Sequence, residues 1–199
     1  MRTKDENKEI IIREKAIEMI VNEGFDGLSM HKLAKAANIS ASTIYIYYKN
    51  REDLLNKLYA FATDSFMEAT LAGFDPESDF ETGLWKQWTN RLDHILKYPL
   101  LYRFLEQFKN SPLITKQTSL QEDIFRKAMQ RFVEHAVCKK EIVELPPEVF
   151  WALAYGPFYT LVKFHLDNAA MSGRPFNFNK DTLELAFRHT MRGIARREA

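Results

Sequence analysis

A chain of 199 residues, 46% hydrophobic and 28% charged, carries enough apolar side chains for one or two packed domains, which excludes a disordered tail or linker. Its single cysteine, Cys138, excludes an intramolecular disulfide, "MRTKDENKE" lacks the apolar stretch of a secretory signal, and charges interrupt every apolar run before the roughly 18 residues needed to cross a bilayer. The reducing cytoplasm is the expected compartment, with no membrane partner, and the near-even net charge of +1 has to be read segment by segment.

The hydrophobic period is helical along nearly the whole chain. Ile12, Ala16 and Ile20, joined by Ile17 and Val21, fall at i, i+4 spacing, and Gly24 supplies a stop. Ser29 is a natural N-cap for "MHKLAKAA", whose Leu33, Ala34 and Ala37 form an inward stripe opposite Lys32 and Lys35. Asn38, which tolerates the left-handed conformation, marks a very short turn, and Ser40 caps a third helix running to about Tyr48. From "NREDLL" a fourth helix continues to Gly73 with no internal Gly or Pro, until "FDPESD" breaks it. Further helices are expected at about 80–97, 99–109, 113–139, 147–172 and 180–197, divided by Pro99, "NSP", "ELPP" and "SGRPFNFN". No strand alternation or internal repeat interrupts them. The predicted class is therefore all-α, with about nine helices in a three-helix head and a larger helical body.

The segment "SASTIYIYYKN" from Ser40 to Asn50 crowds three aromatic rings and an Ile into a polar stretch. At 100° per residue, Ile44 and Tyr48 share one side and pack inward, which leaves Ser42 and Ile46 on the opposite side and Thr43, Tyr45 and Tyr47 on the flanks. Half of the aromatic row is core, and the other half has to face something. From Ser29 to Arg51 there is no Asp or Glu, while His31, Lys32, Lys35, Lys49 and Arg51 are all present. A helix, tight turn and second helix with this chemistry suit duplex DNA: the second helix enters the major groove, and hydroxyls, bases and helix N-termini hold phosphates. A solvated basic face beside a tyrosine-lined interface has the same pattern, and the pattern alone does not choose between them.

"GFDGLSMHKLAKAANISASTIYIYYKNREDLL", Gly24 to Leu55, resembles the DNA-binding signature of the tetracycline-repressor (TetR) family of bacterial transcription regulators. A Gly-aromatic pair, a Ser or Thr cap, an apolar-Ala pair and a recognition helix recur there in this order. The resemblance implies a head at 1–57, with its helix-turn-helix at about 29–48, and an effector-binding and dimerisation body at 58–199. It implies that Ser29 begins the supporting helix at a phosphate. By the same resemblance Ala41, Ser42 and Ile46 lie nearest the bases, and Thr43, Tyr45, Tyr47 and Arg51 hold the DNA backbone, with Ser40, Lys32 and Lys49 completing the surface. Three departures are physically mild: Asn38 stands where the family usually has Gly, Tyr47 where a His is common and Tyr48 where Phe is common.

The body balances 18 bases against 18 acids and is not a second nucleic-acid surface. Its aromatic residues suit plain core, yet together they suit the wall of a cavity too, and similar regulators bind a small molecule between the helices of this body. Trp88, Tyr102, Phe125 and Tyr155 are the expected lining of a site for an apolar or aromatic effector. On the last helix Leu183, Phe187, Thr190, Met191 and Ile194 repeat at 3 to 4 spacing. With Phe158, Leu161 and His165 they form a candidate four-helix homodimer interface, or else close the monomer's own core. No Gly-rich phosphate loop, HExxH, CxxC or Gly-x-Ser-x-Gly occurs, and the five His residues lack ligand spacing, so neither an enzyme nor a bound cofactor or metal is expected. Cys138 beside Lys139 and Lys140 carries the alternative of a thiol redox sensor, and a dimeric DNA-binding protein without an effector is a second alternative. The expected function is a repressor that binds an operator in double-stranded DNA as a homodimer and is released by its effector.

Overall fold

The computed structural model describes residues 5–109, 111, 119–168, 171, 173 and 175–196. Among these, ten helices form and no strand does; the only extended pairing among them is an isolated antiparallel bridge between Ile142 and Ala195. They fall into two compact units: the described residues of Met1–Phe66 with Lys97–Leu120, and those of Met67–Leu96 with Gln121–Ala199.

In the first unit, α1 (Glu6–Gly27) starts where the Asp5 carboxylate accepts from Asn7 N. It bends at Gly24, whose φ of 73° suits a residue without Cβ. The buried faces of α1, of α2 (Met30–Ala36) and of α3 (Ala41–Tyr47) close on Ile12, Ile20, Leu33 and Ile44, joined by Leu54, Leu55 and Leu58 from α4 (Arg51–Leu71). The sequence boundary at residue 57 is narrower than this unit. α6 (Pro99–Lys109) packs its Leu101, Phe104, Leu105 and Phe108 into the same core. Phe108 stacks on Tyr59 at 4.7 Å between centroids and meets Phe25 edge-on at 5.5 Å, while Gln107 Nε2 donates to Val21 O at 3.2 Å. With α2 and α3 only seven residues each, the head has little apolar surface of its own to bury, and α6 adds to it.

The second unit is built on α5 (Phe80–Lys97), α7 (Leu120–Cys138), α8 (Pro147–Ala154), α9 (Gly156–Asp167) and α10 (Lys180–Ile194). The Glu141 carboxylate accepts from Phe80 N at 2.6 Å and so satisfies a donor at the start of α5. Gly83 leaves room for the Phe132 ring, which a Cβ there would meet at 2.3 Å, and Phe132 stacks on Phe80 at 5.4 Å. The single helix expected over 147–172 is two: Tyr155 departs to φ −122° and ψ −21°, and Pro157, with no N–H to return to the preceding turn, opens α9. Asn168 ends α9 in the left-handed region at φ 50°, earlier than expected, and Ser172 lies outside the described residues. Likewise the expected start at Leu113 and end at Arg197 lie outside them, so α7 is described from Leu120 and α10 to Ile194.

Candidate nucleic-acid interface

Three local devices aim α3. Ser29 Oγ accepts from Lys32 N at 3.2 Å and starts α2. Asn38 then takes φ 53°, the left-handed turn its short polar side chain permits, and Ile39 N returns to Ala34 O at 3.0 Å. Ser40 Oγ accepts from Thr43 N at 3.2 Å and starts α3.

The two sides of α3 then differ sharply. Ile44 and Tyr48 are buried, whereas Ser42, Tyr45 and Ile46 face outward, Tyr45 with 51% and Ile46 with 37% of its surface exposed. Ser40, Lys49 and Asn50 are exposed beside them, and Ala41 and Thr43 are half-buried. The Ser40 hydroxyl lies 2.8 Å from those of both Ser42 and Thr43, so the N-terminus of α3 presents a cluster of three hydroxyls next to its own unpaired backbone N–H groups. Ser29 is half-buried at the start of α2, and the exposed Lys32 lies 3.7 Å from the Glu23 carboxylate, a weak ion pair in water. Burial pushes the Tyr48 hydroxyl up to about 12, with the Glu9 carboxylate adding and Arg13 opposing, so this phenol stays neutral in the core.

Two residues expected to hold the DNA backbone are committed to the scaffold. Tyr47 is only 5% exposed; its hydroxyl accepts from Asp5 N at 2.9 Å and donates to Asp5 O at 3.1 Å. The cause is the end of α3: Tyr48 leaves the helix at φ −132° and ψ 125°, and the flank carrying Tyr47 closes against the start of α1. Arg51 sends Nε to Leu28 O at 3.1 Å and Nη2 to Phe25 O, so its guanidinium braces the carbonyls that end α1. No local spacing signals the first contact, which joins residues 42 apart. A third brace was open to sequence reading, because Asp53 and Lys57 stand at helical i, i+4 spacing. Lys57 Nζ reaches Asp53 Oδ2 at 3.0 Å and Tyr47 O at 3.1 Å. Burial pushes the Asp53 carboxyl up, but hydrogen bonds from Lys49 N and Lys57 outweigh it and hold the pKa below the ordinary value. Asp53, the second acid after the basic stretch, is thus spent on its neighbours.

The expected effector residues separate. Trp88, Phe125 and Tyr155 belong to the second unit, where Trp88 Nε1 donates to Ala154 O at 2.9 Å and both Phe125 and Tyr155 turn ring faces to Arg91. Tyr102 belongs to the first, 6.3 Å from the Phe66 ring. The expected dimer residues divide as well. Phe158, Leu183, Phe187, Thr190 and Ile194 are buried within the second unit itself, because α10 lays that stripe on α5 and α9, with Phe187 edge-on to Trp85 and Trp88. Leu161, His165 and Met191 are half-buried, and His165 Nδ1 accepts from Phe178 N at 3.3 Å. Cys138 is exposed at the end of α7. Among the described residues no three His, Cys, Asp or Glu side chains group as a metal site, and no helix is long and apolar enough to cross a membrane.

The family model for bacterial regulatory proteins of the tetR family matches residues 12–58, which span α1 to the start of α4. Over the whole chain, the solved structure of a TetR family transcription regulator from Marinobacter aquaeolei superposes with a TM-score of 0.83 at 27% identity, covering 99% of this chain and 100% of that one. The segment at 12–58 belongs to the tetR family of bacterial regulatory proteins. Among curated relatives, an uncharacterized HTH-type transcriptional regulator of Haemophilus influenzae is 33% identical over 94 residues, 47% of this chain and 50% of that protein. The fatty acid metabolism regulator protein of Bacillus subtilis is 38% identical over 53 residues, 27% of each. The matches thus span half or less of those curated relatives' own length. The matched segment contains α2, the left-handed turn at Asn38 and α3.

Proposed function

We propose that this regulator binds an operator in duplex DNA as a homodimer, represses transcription there and is released by a small molecule held in its helical body. The observation that carries the DNA reading is the outer face of α3: an acid-free surface on which Ser42, Tyr45 and Ile46 stand exposed beside three clustered hydroxyls and Lys49. Ser42 and Ile46 read base edges, while Ser29, Lys32, Ser40, Thr43, Tyr45 and Lys49 hold phosphates. Tyr47 and Arg51 act from behind, by fixing where α3 and α4 leave the core. The test is anisotropy of the full chain on DNA flanking its gene, at several salt concentrations. Changing Ser42 or Ile46 should shift sequence preference, and Lys49→Ala should lower affinity on every sequence and flatten the salt slope by about one. Salt-independent binding with no sequence preference would sink the reading.

Two heads are needed to address half-sites about 34 to 36 Å apart or a multiple of that. The groove between α8, α9 and α10 favours the dimer, now through small and polar side chains: Gly156, Thr160, Ala186, His189 and Gly193 line it together with Leu153 and Leu161. Leu153 and Leu185 are large apolar side chains left 42% and 53% exposed on these helices. Sedimentation at micromolar concentration decides it, since a monomer would exclude the interface. For release, α4 supports a lever: it runs from Arg51 to Leu71 without Gly or Pro, beginning in the first unit and ending in the second. Effector and operator then oppose each other reciprocally, because a ligand shifts an equilibrium only by its differential affinity for the two states.

A further inference from the structure

The second unit keeps a positive charge in its interior. Arg91 on α5 is fully buried, a placement arginine takes only when its donors are well met. Nη1 donates to Gln87 Oε1 at 2.6 Å and Nε to the Tyr159 hydroxyl at 3.1 Å. The guanidinium lies 4.7 Å from the centre of the Tyr155 ring and 5.6 Å from that of Phe125. Two further polar groups stand in this neighbourhood without a hydrogen-bond partner among the described residues: the Gln87 side-chain nitrogen and the Tyr155 hydroxyl, both on residues that are fully buried. Burial pushes the Tyr155 hydroxyl up, with Arg91 opposing and Tyr159 adding, so it stays a proton donor at any pH of assay.

A buried donor left unpaired destabilises the fold and calls for an explanation. Tyr155 would lose nothing in shape as Phe, nor Gln87 much as Met, yet both keep their polar ends inside an aromatic unit. What unites them is that each can donate to an acceptor, beside a cation whose bonds to an anion are charge-assisted. A carboxylate offers two oxygens and about four acceptor positions, enough for a guanidinium, an amide and a phenol at once. Trp88 has already committed its N–H to Ala154 O, and Phe125 stands half-buried on α7 with its ring face toward the guanidinium.

We propose that Gln87, Arg91, Tyr155 and Tyr159 form the polar end of the effector site, and that the effector is an organic acid with one carboxylate on an apolar body. This rests on the effector reading above and names the chemical class it left open. Phe125, whose ring lies 5.6 Å from the guanidinium, forms an apolar wall on the side of α7, so an acid that reaches Arg91 from that side has to displace it and thereby repack α5 against α7.

The test is thermal shift and calorimetry on the full chain with octanoate, phenylacetate and benzoate, each beside its methyl ester, and with octylamine as the cation. The acids should raise the unfolding temperature with dose, and the esters and the amine should bind roughly tenfold more weakly or worse, the loss of bonds to a charged group. Tyr155→Phe and Gln87→Met separate a ligand role from a structural one. Tyr155→Phe removes only an unpaired buried hydroxyl, so that ligand-free variant should unfold at the same or a higher temperature; Gln87→Met also takes away the acceptor of Arg91 Nη1 and should unfold at a lower one, and in both the Kd for the acids rises roughly tenfold. Esters binding as well as acids, acid affinity unchanged in both variants, or a lowered unfolding temperature in Tyr155→Phe would each overturn the proposal and leave the effector reading standing. Silence of every compound in the panel overturns it too. The effector reading itself falls only if a wider library, neutral and charged, leaves operator affinity unchanged.

Discussion

The recognition helix and the interior of the second unit use aromatic residues in opposite ways. On α3 the rings are packed by angle: Tyr45 and Tyr47 are two residues apart, and one is 51% exposed while the other is 5% exposed and tied to Asp5. In the second unit Trp88, Tyr155, Phe158 and Phe178 are all buried, and the polar atoms of Gln87 and Arg91 go inside with them. A seven-residue helix has one packed side and leaves the other to a partner, so apolar surface outside signals recognition. Where five helices surround a centre, apolar surface is ordinary and it is the polar atom inside that signals recognition.

The largest expected effect tests the second half of that contrast. Trp88 contacts Phe158 and Phe187 at 5.4 Å between centroids and donates to Ala154 O, so Trp88→Ala should cost about 3–5 kcal/mol of unfolding free energy. Urea titration followed by circular dichroism reads it directly. Tyr45→Ala, at an exposed ring on α3, should stay within about 0.5 kcal/mol. Equal losses at the two rings would break the comparison.

What was legible in the sequence follows the same division. The caps at Ser29 and Ser40, the left-handed Asn38 and the buried pair Ile44 and Tyr48 depend on local spacing, and each stands in the fold as the sequence implied. The outward set of α3 was legible for that reason too. Contacts across long stretches of chain were not: Asp5 with Tyr47, Arg51 with Phe25, and α6 on α1 depend on the tertiary path, which no periodicity encodes. The stripe on α10 was seen but its partner was not, because a helix face that packs inside its own unit and one that packs on a second copy have the same spacing. Arg91 escaped notice because a buried cation and a surface cation on α5 look alike in sequence.

A second prediction, smaller in size, separates charges that hold the scaffold from charges that hold DNA. Arg51→Met removes the braces on Phe25 O and Leu28 O, and bonds from a charged group contribute about 1.5–3 kcal/mol. Stability should fall by that order, operator affinity should drop with it, and the salt slope should stay as it was. Lys49, exposed beyond α3, should behave in the opposite manner: Lys49→Ala leaves stability within about 0.5 kcal/mol and takes about one unit from the slope. If Arg51→Met flattens the slope instead, the guanidinium reaches a phosphate in the complex and the division between the two residues is wrong.

The smallest expected effect sharpens the comparison on α3 itself, by removing one oxygen at a time. In Tyr47→Phe the hydroxyl that both accepts from Asp5 N and donates to Asp5 O is gone, and the contact is only partly buried, so the loss should be about 1 kcal/mol. The start of α1 should fray, which hydrogen exchange reports as lost protection at the first turn, and operator affinity should fall only as far as α3 is loosened. In Tyr45→Phe the packing inside the protein is unchanged, since the ring is exposed and its hydroxyl makes no hydrogen bond among the described residues. Unfolding should be unaltered, and affinity should fall by a similar factor on cognate and scrambled sequences, because a phosphate contact positions the helix and carries no sequence information. One variant should thus move exchange first and binding second, the other binding alone. If Tyr47→Phe leaves exchange at α1 untouched and weakens binding as Tyr45→Phe does, Tyr47 turns outward when DNA arrives, and both tyrosines belong to the recognition surface.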